Sequence, residues 1–466
     1  MSAFQPITDR VRELRPDLVP RRAFLLLAPF LYAAYALLTP AFQNFDENQH
    51  LYRAWQISTS QLVGERRGAR SGGELPPGLA RATVQEIGSI TPQTARRTVR
   101  RPVSQMFGWN TPIGTAEKPI YYDFFGAVVY APVGYLPQIL AVRIGVAAGL
   151  SVEWTLRLGR LSNVALCLGL VLWALKLIPY GRWPMAIIAL SPPMAAAAAS
   201  FGQDALVGGS GFLLTALGLR IAAERRWTGA RATTVGLATL AVSLAKFVYL
   251  PLVAVAVFPL PRAVSLRRWF TPPLLIGAAA AFLVYAWIRI NAPALVPSFR
   301  PWVPTMPEQV SWAAAHPLEF TALIGRTFLF ELPTLWARFY TFGDSTVPTI
   351  WAAAIPGTAA LLVAMAYGER NALDLTRGRR LWILLTFGAV ALLIAFAMFL
   401  TLAARGAIVI EGIQARYFLP VLPLGAIGLM RRGEDAPRGV MTVTIALVLA
   451  AHAATLGTIA ATFYSV

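Results

Sequence analysis

Charge is scarce in this chain. Asp, Glu, Lys and Arg make up 14% of its 466 residues, against about a quarter in a soluble protein. That deficit excludes an ordinary soluble domain. Cysteine is nearly absent too. The one cysteine, Cys167, lies inside an apolar run, so no internal disulfide forms and the redox compartment stays unread. The three histidines, His50, His316 and His452, are far apart, and no pair has zinc-ligand spacing. This excludes a metal site built from His and Cys. A carboxylate-bound divalent ion such as Mg or Mn stays open. No P-loop, GxSxG or HExxH pattern falls in a workable context, which excludes an ATP-driven pump.

Apolar sequence is what the chain has in abundance, at 56%. Runs of membrane-spanning character occur at 23–42, 124–149, 154–178, 184–201, 205–223, 232–261, 270–290, 350–367, 381–403, 417–430 and 440–463. Two long stretches between them, 43–118 and 291–349, are polar enough to lie outside a bilayer. The first run has no small-residue cleavage site followed by a soluble domain, so it reads as a retained span.

The net charge of +19 would suggest nucleic acid in a soluble protein. Here the basic residues are nearly all Arg, and they sit in short clusters between apolar runs. Arg10, Arg12, Arg15, Arg21 and Arg22 precede the first run. Later clusters are Arg225, Arg226 and Arg231; Arg262, Arg267 and Arg268; Arg370, Arg377, Arg379 and Arg380; and Arg431, Arg432 and Arg438. The positive-inside rule explains this pattern and puts the short basic loops in the cytoplasm. Nucleic acid is not an expected partner. Membrane lipids are.

Keeping every basic cluster inside requires that 124–149 does not cross. Its Asp123, Pro132, Pro137, Gln138 and Arg143 already make it a poor simple span, so it reads as an interfacial or re-entrant helix. The run 232–261 must then cross twice, broken near Lys246 and Pro251. The expectation is an all-α polytopic integral membrane protein with about 11 transmembrane helices. It divides into a cytoplasmic segment 1–22, a first span 23–42 and a first extracytoplasmic loop 43–149 with interfacial or re-entrant helices. A bundle 150–290, a second outer loop 291–349 and C-terminal helices 350–466 follow. Candidate chemistry collects on the outer face.

Five constellations carry that chemistry. Asp46, His50 and Arg53 follow the first run at i, i+4, i+7 spacing, with Glu47 beside Asp46. A carboxylate there can act as a general base toward a hydroxyl or hold a divalent ion. It reads equally as a helix N-cap. Lys246 lies within an apolar run, where a lysine needs a cavity or an anionic partner unless it snorkels. Asp204 opens a span, as a ligand or as a cap. Arg416, with Glu411, Gln414 and Tyr417, can clamp a phosphate or anchor at the interface. Lys118 follows Glu117 and precedes Pro119 and two tyrosines, and can present a cation to the same cavity. Arg405 falls on the same face. Trp302, Trp312 and Trp336 in the second loop offer faces to sugar rings, or an interfacial belt.

Several of these pieces, in this order, resemble a family of bacterial multi-span proteins placed in the GT-C glycosyltransferase superfamily. The pieces are Asp46-Glu47 with His50, Tyr52-Arg53-Ala54 and Gln56-Ile57-Ser58, then Gly72-Gly73-Glu74-Leu75-Pro76. Tyr135-Leu136-Pro137-Gln138, Leu158-Gly159-Arg160-Leu161, the Asp204 region, Lys246 with Tyr249, and Arg416-Tyr417-Phe418-Leu419-Pro420 follow. The resemblance covers roughly 40–430. It implies a GT-C-like fold with a large first outer loop, in the bacterial cytoplasmic membrane. It also implies a polyprenyl-phosphate-linked sugar donor, a glycan or lipid acceptor and an inverting transfer on the outer face. Asp46 matches the acidic residue that serves as base or metal ligand. Glu47, Asp204 and His50 become candidates for the acceptor or a metal. Lys246, Arg416, Lys118 and Arg405 become candidates for the donor phosphate. Ile120 stands where relatives often carry a second proline after the lysine, which departs from the pattern at Lys118. A transporter or flippase for lipid-linked glycans is the reading from a different class, and it predicts pseudo-symmetric halves. A structural scaffold leaves Lys246 and the acidic pair without a purpose.

Overall fold

The structure, a computed structural model, describes residues 19–90, 100–107, 110–257, 265–298, 300–342, 350–367, 375–431 and 437–465. Most of the N-terminal segment 1–22, including Arg10, Arg12 and Arg15, lies outside these residues, as do Arg262, Arg370 and Arg432.

Helix dominates, and among the described residues six helices are long and apolar enough to cross a membrane. These are α1 (Val19–Leu38), α5 (Val152–Leu177), α8 (Asp204–Glu224), α10 (Leu266–Asn291), α14 (Arg377–Leu402) and α16 (Arg438–Phe463). Their starts follow from sequence. Ser151, Ser265 and Thr376 accept hydrogen bonds from the backbone N–H of Trp154, Arg268 and Arg379, satisfying donors that a helix start leaves open.

About 11 transmembrane helices are expected from sequence, and six long ones stand among the described residues. The other apolar runs form shorter pieces, two of them, 124–149 and 232–261, in keeping with the irregular character expected of them. The run 124–149 becomes a short 3₁₀ turn, Pro132–Tyr135, and a 12-residue helix, α4 (Leu136–Ala147). That helix is about 18 Å long, well short of a hydrocarbon core of about 30 Å. Ser191-Pro192-Pro193 splits 184–201 into α6 (Arg182–Ala189) and α7 (Pro192–Ala198). The run 232–261 becomes α9 (Gly229–Ala245) and a 3₁₀ helix, Phe247–Ala256, joined at Lys246. Both pack against α8, and they also pack on each other. The run 417–430 yields a 3₁₀ turn, Ala415–Phe418, and the eight-residue α15 (Leu422–Leu429).

α8 is the centre of the bundle. It is apolar all round and almost wholly buried, as a helix with protein on every side must be. α5 lies against it, and α1 and α4 lie against α5. Gly211 lets α8 approach closely: a Cβ there would stand 2.4 Å from the Pro420 carbonyl oxygen. α10 has the opposite character. Leu274, Leu275, Phe282 and Tyr285 are exposed along it, a face suited to lipid.

The first loop is not purely helical, a departure from the all-α expectation. It holds α2 (Glu47–Ser58), α3 (Pro77–Ile90) and an antiparallel sheet in the order β1-β2-β4. These strands are β1 (Glu65–Arg67), β2 (Arg70–Leu75) and β4 (Ile120–Asp123). Gly72 makes the sheet possible, since a Cβ there would collide with the Tyr122 carbonyl. A separate apolar core, with Leu51, Tyr52, Trp55, Phe124, Tyr135 and Phe201, joins this loop to α5 and the start of α8. A two-residue strand β3 (Arg101–Pro102) pairs in parallel with β5 (Tyr464–Ser465) beyond α16. In the second loop, α11 (Met306–Ala315) and α12 (Pro317–Arg338) precede α13 (Trp351–Tyr367).

Candidate functional site

Asp46 and Glu47 are neighbours with different environments. Glu47 is 1% exposed. Its Oε1 accepts from Arg160 Nε (2.8 Å), Asn44 Nδ2 (3.1 Å) and the Phe201 backbone N–H (3.0 Å). Its Oε2 accepts from Arg160 Nη2 (2.5 Å) and the Phe42 N–H (3.0 Å). Burial pushes the Glu47 carboxyl up, but Arg160 and these hydrogen bonds outweigh it and hold it below its ordinary range. Arg160 also donates to the carbonyls of Ala36, Thr39 and Pro40, closing the open end of α1. Glu47 is thus the bolt between α1, α5 and the turn before α8. No oxygen is left for an acceptor or a metal, contrary to the role expected for it.

Asp46 is held out by that bolt. Its backbone is left-handed (φ 56°), as is that of Phe42 (φ 61°). Such residues persist only where their surroundings over-determine them. The helix-cap alternative does not apply, since the Asp46 side chain makes no capping hydrogen bond to α2. Its side chain is 48% exposed, and Oδ2 accepts from Arg416 Nη2 at 3.0 Å.

Arg416 is the hub. Its Nη1 donates to Asp204 Oδ2 (3.3 Å), and its Nε donates to Gln414 Oε1 (2.6 Å). The guanidinium lies over the Phe45 ring at 4.9 Å. Lys246 Nζ donates to the other Asp204 oxygen, Oδ1, at 2.7 Å and lies 4.9 Å from the Tyr417 ring centre. The break between α9 and the 3₁₀ helix delivers this lysine, whose backbone is extended (φ −149°). Asp204 is placed by the turn before α8. Asn163 Nδ2 donates to the carbonyls of Ser200 and Gly202, and Gln138 Nε2 also donates to Gly202. Asp46, Asp204, Lys246 and Arg416, drawn from four distant parts of the chain, thus form one contiguous charge cluster.

His50 borders the cluster. Its Nδ1 is 2.7 Å from the Tyr135 hydroxyl, and its ring stacks on Tyr130 at 6.0 Å. Burial pushes its pKa down to about 4, against the pull of Asp46 and Asp204, so the imidazole is neutral at pH 7. Burial likewise raises the Tyr130 and Tyr135 phenols. Arg53 turns away: it is fully buried, donating to the Tyr130 and Leu62 carbonyls and to Gln56.

A cavity of about 370 Å³ opens beside the cluster. Asp204, Arg416, Asn44, Phe45, Ser200 and Gln414 line it, with Arg338. Arg338 and Tyr130 escape sequence reasoning. Arg338 looks like an ordinary basic residue in a helix's last turn, and Tyr130 lies in an irregular stretch. Two expected phosphate ligands are elsewhere. Lys118 is exposed just before β4 and lines neither this cavity nor the one that holds Arg405. Arg405 lies in a second cavity, 3.5 Å from Glu308.

The carboxylates do not fit a divalent ion. Such an ion needs several oxygens free to converge on it. Arg416 already bridges Asp46 and Asp204, Lys246 takes the remaining Asp204 oxygen, and Glu47 is spent on Arg160. Among the described residues, no group of three His, Cys, Asp or Glu is placed to hold a metal.

Comparison with curated proteins and with solved structures returned no match. A family described as "Predicted membrane protein (DUF2142)" matches residues 27–425, a stretch that takes in the second half of α1, the first loop, the charge cluster and its cavity. The chain therefore belongs to that family of membrane proteins.

Proposed function

We propose that this protein transfers a sugar from a polyprenyl-phosphate-linked donor to a hydroxyl of a cell-envelope glycan or lipid, on the extracytoplasmic face of a bacterial membrane. The observation that carries this reading is a chain of ion pairs beside one cavity, Asp46–Arg416–Asp204–Lys246, which sets a half-exposed carboxylate next to two largely buried cations. Buried cations of this kind suit an anionic group that arrives through lipid. The GT-C resemblance supplies the reaction class.

In this reading Oδ1 of Asp46 takes the proton from the acceptor hydroxyl, while Arg416 fixes the carboxylate through Oδ2. The acceptor oxygen attacks the anomeric carbon as the bond from that carbon to the lipid-phosphate oxygen breaks. The electron pair leaves with the phosphate. Arg416 and Lys246 stabilise the charge that develops there, with Arg338 across the cavity. A single displacement inverts the anomeric centre. Asp204 orients both cations before the donor arrives. No step needs a metal.

The test is transfer in vitro from a lipid-linked sugar, comparing wild type with Asp46→Asn. A loss of at least 100-fold is expected, the scale of a general base. Full activity in Asp46→Asn removes Asp46 as the base.

A further inference from the structure

The second cavity, of about 630 Å³, lies between α11, α12 and the end of α14. Its volume is within the range of small-molecule sites. Its lining carries Glu308, Glu319, Arg326 and Arg405, with Gln309 and Trp312. Two carboxylates and two guanidiniums balance each other. The cavity beside Asp46 is lined by two guanidiniums, Arg338 and Arg416, against one carboxylate, Asp204; here a phosphate would meet a second anion for the same two cations. A neutral ligand with many hydroxyls is served by both kinds of group, since carboxylates accept and guanidiniums donate.

These groups are not consumed by one another. Among the described residues the one ion pair within the lining is Glu308–Arg405 at 3.5 Å, with side chains 53% and 79% exposed. Such a contact is worth about 1 kcal/mol or less. The cavity wall, by contrast, is fixed. Gln309 is buried and donates to the carbonyls of Phe399 and Ala403, tying α11 to the end of α14. Trp312 is packed by the rings of His316 and Phe399. Glu308 Oε2 accepts from the Thr305 N–H and hydroxyl, capping α11, while Glu319 and Arg326 make no ion pair among the described residues. Fixed walls carrying such open groups describe a preformed site.

Its position gives it a purpose. Residues 404–407 line this cavity, and residues 412–416 line the one beside Asp46. Five residues from Ala407 to Gly412 reach at most about 18 Å. α12 also connects the two, from Arg326 in one lining to Arg338 in the other, about 18 Å along its axis.

We infer that this second cavity is a saccharide subsite that holds a neutral oligosaccharide portion of the acceptor at a distance from the reacting hydroxyl. The inference rests on the transfer reading for its purpose, but its test does not. Full-length protein in lipid nanodiscs is applied to an array of neutral oligosaccharides of one to six units. Wild type and Asp46→Asn should bind the same oligosaccharides, preferring two units or more. Glu319→Gln combined with Arg326→Ala should weaken that binding at least tenfold. Both residues are exposed, so a matching thermal midpoint confirms that the double variant is folded. Glu308→Gln, in a separate sample, should weaken binding in the same direction. Inorganic phosphate at millimolar concentration should not compete. Binding to no oligosaccharide, binding that survives these substitutions, or displacement by phosphate overturns the inference. Absence of transfer from a lipid-linked donor with array binding intact would instead overturn the reading of the Asp46 site.

Discussion

At the scale of residues, two adjacent carboxylates are separated by what surrounds them. Glu47→Gln removes the charge that neutralises a fully buried Arg160. Breaking such a pair costs about 3–5 kcal/mol, so thermal unfolding in detergent should show a large fall in midpoint. Asp46→Asn, at a half-exposed site, should leave the midpoint nearly unchanged while activity is lost. Arg416→Ala should lower transfer about 10²–10³-fold, the scale of losing one transition-state donor. Arg416→Lys should recover little, since one ammonium cannot bridge two carboxylates in a guanidinium's geometry. His50 sets a pH dependence. Its folded value is near 4, below the ordinary 6.5, so the unfolded chain binds the extra proton between those values. Stability from the neutral ring is full above 6.5 and is lost as pH falls toward 4. His50→Gln should flatten the stability profile in that window, read by thermal midpoints from pH 4 to 7. The members of the cluster were legible from sequence where a charge sat against its surroundings, as Lys246 and Arg416 do at apolar runs. Lys118 and Arg405 lie in exposed segments, where a cation incurs no desolvation cost and sequence holds no sign of its direction. The fate of Glu47 depended on Arg160, a partner 113 positions away.

At the scale of elements, proline and glycine decide what hydropathy leaves open. An apolar run of spanning length reads the same whether it forms one helix or two. The Pro192-Pro193 pair turns one such run into two short helices, whereas the break at Lys246 in another is already required by the placing of the arginine clusters. The sheet of the first loop was hidden for a related reason, since its strands are short and one depends on Gly72. Gly211 is the element-level support of the site, because the α8 face it opens rests on the Pro420 carbonyl just past Arg416. Gly211→Val should force α8 from that segment and pull Asp204 away from Arg416. Transfer should fall by at least tenfold with helical circular dichroism retained. Gly169→Val on α5, where a Cβ meets nothing within 4 Å, should leave activity unchanged.

At the scale of the whole molecule, the proposed orientation rests on the clustering of arginine between apolar runs. With Cys167→Ser as background, a cysteine replacing Thr59 in the first loop should react with a membrane-impermeant maleimide from outside intact cells. One replacing Ala230 at the start of α9 should react only after the membrane is opened. The reverse pattern would put the Asp46 cluster in the cytoplasm and end the proposal of extracytoplasmic transfer.

The pairing of β3 with β5 has a consequence in time. Arg101–Pro102 and Tyr464–Ser465 lie side by side in the finished protein, and the Tyr464 hydroxyl donates to the Leu38 carbonyl at the end of α1. The ribosome makes the first of these segments early and the second only after every spanning helix described above. The loop that carries Asp46 must therefore wait, partly closed, on its side of the membrane while the rest of the chain is inserted. Its last strand contact forms only when translation has passed α16.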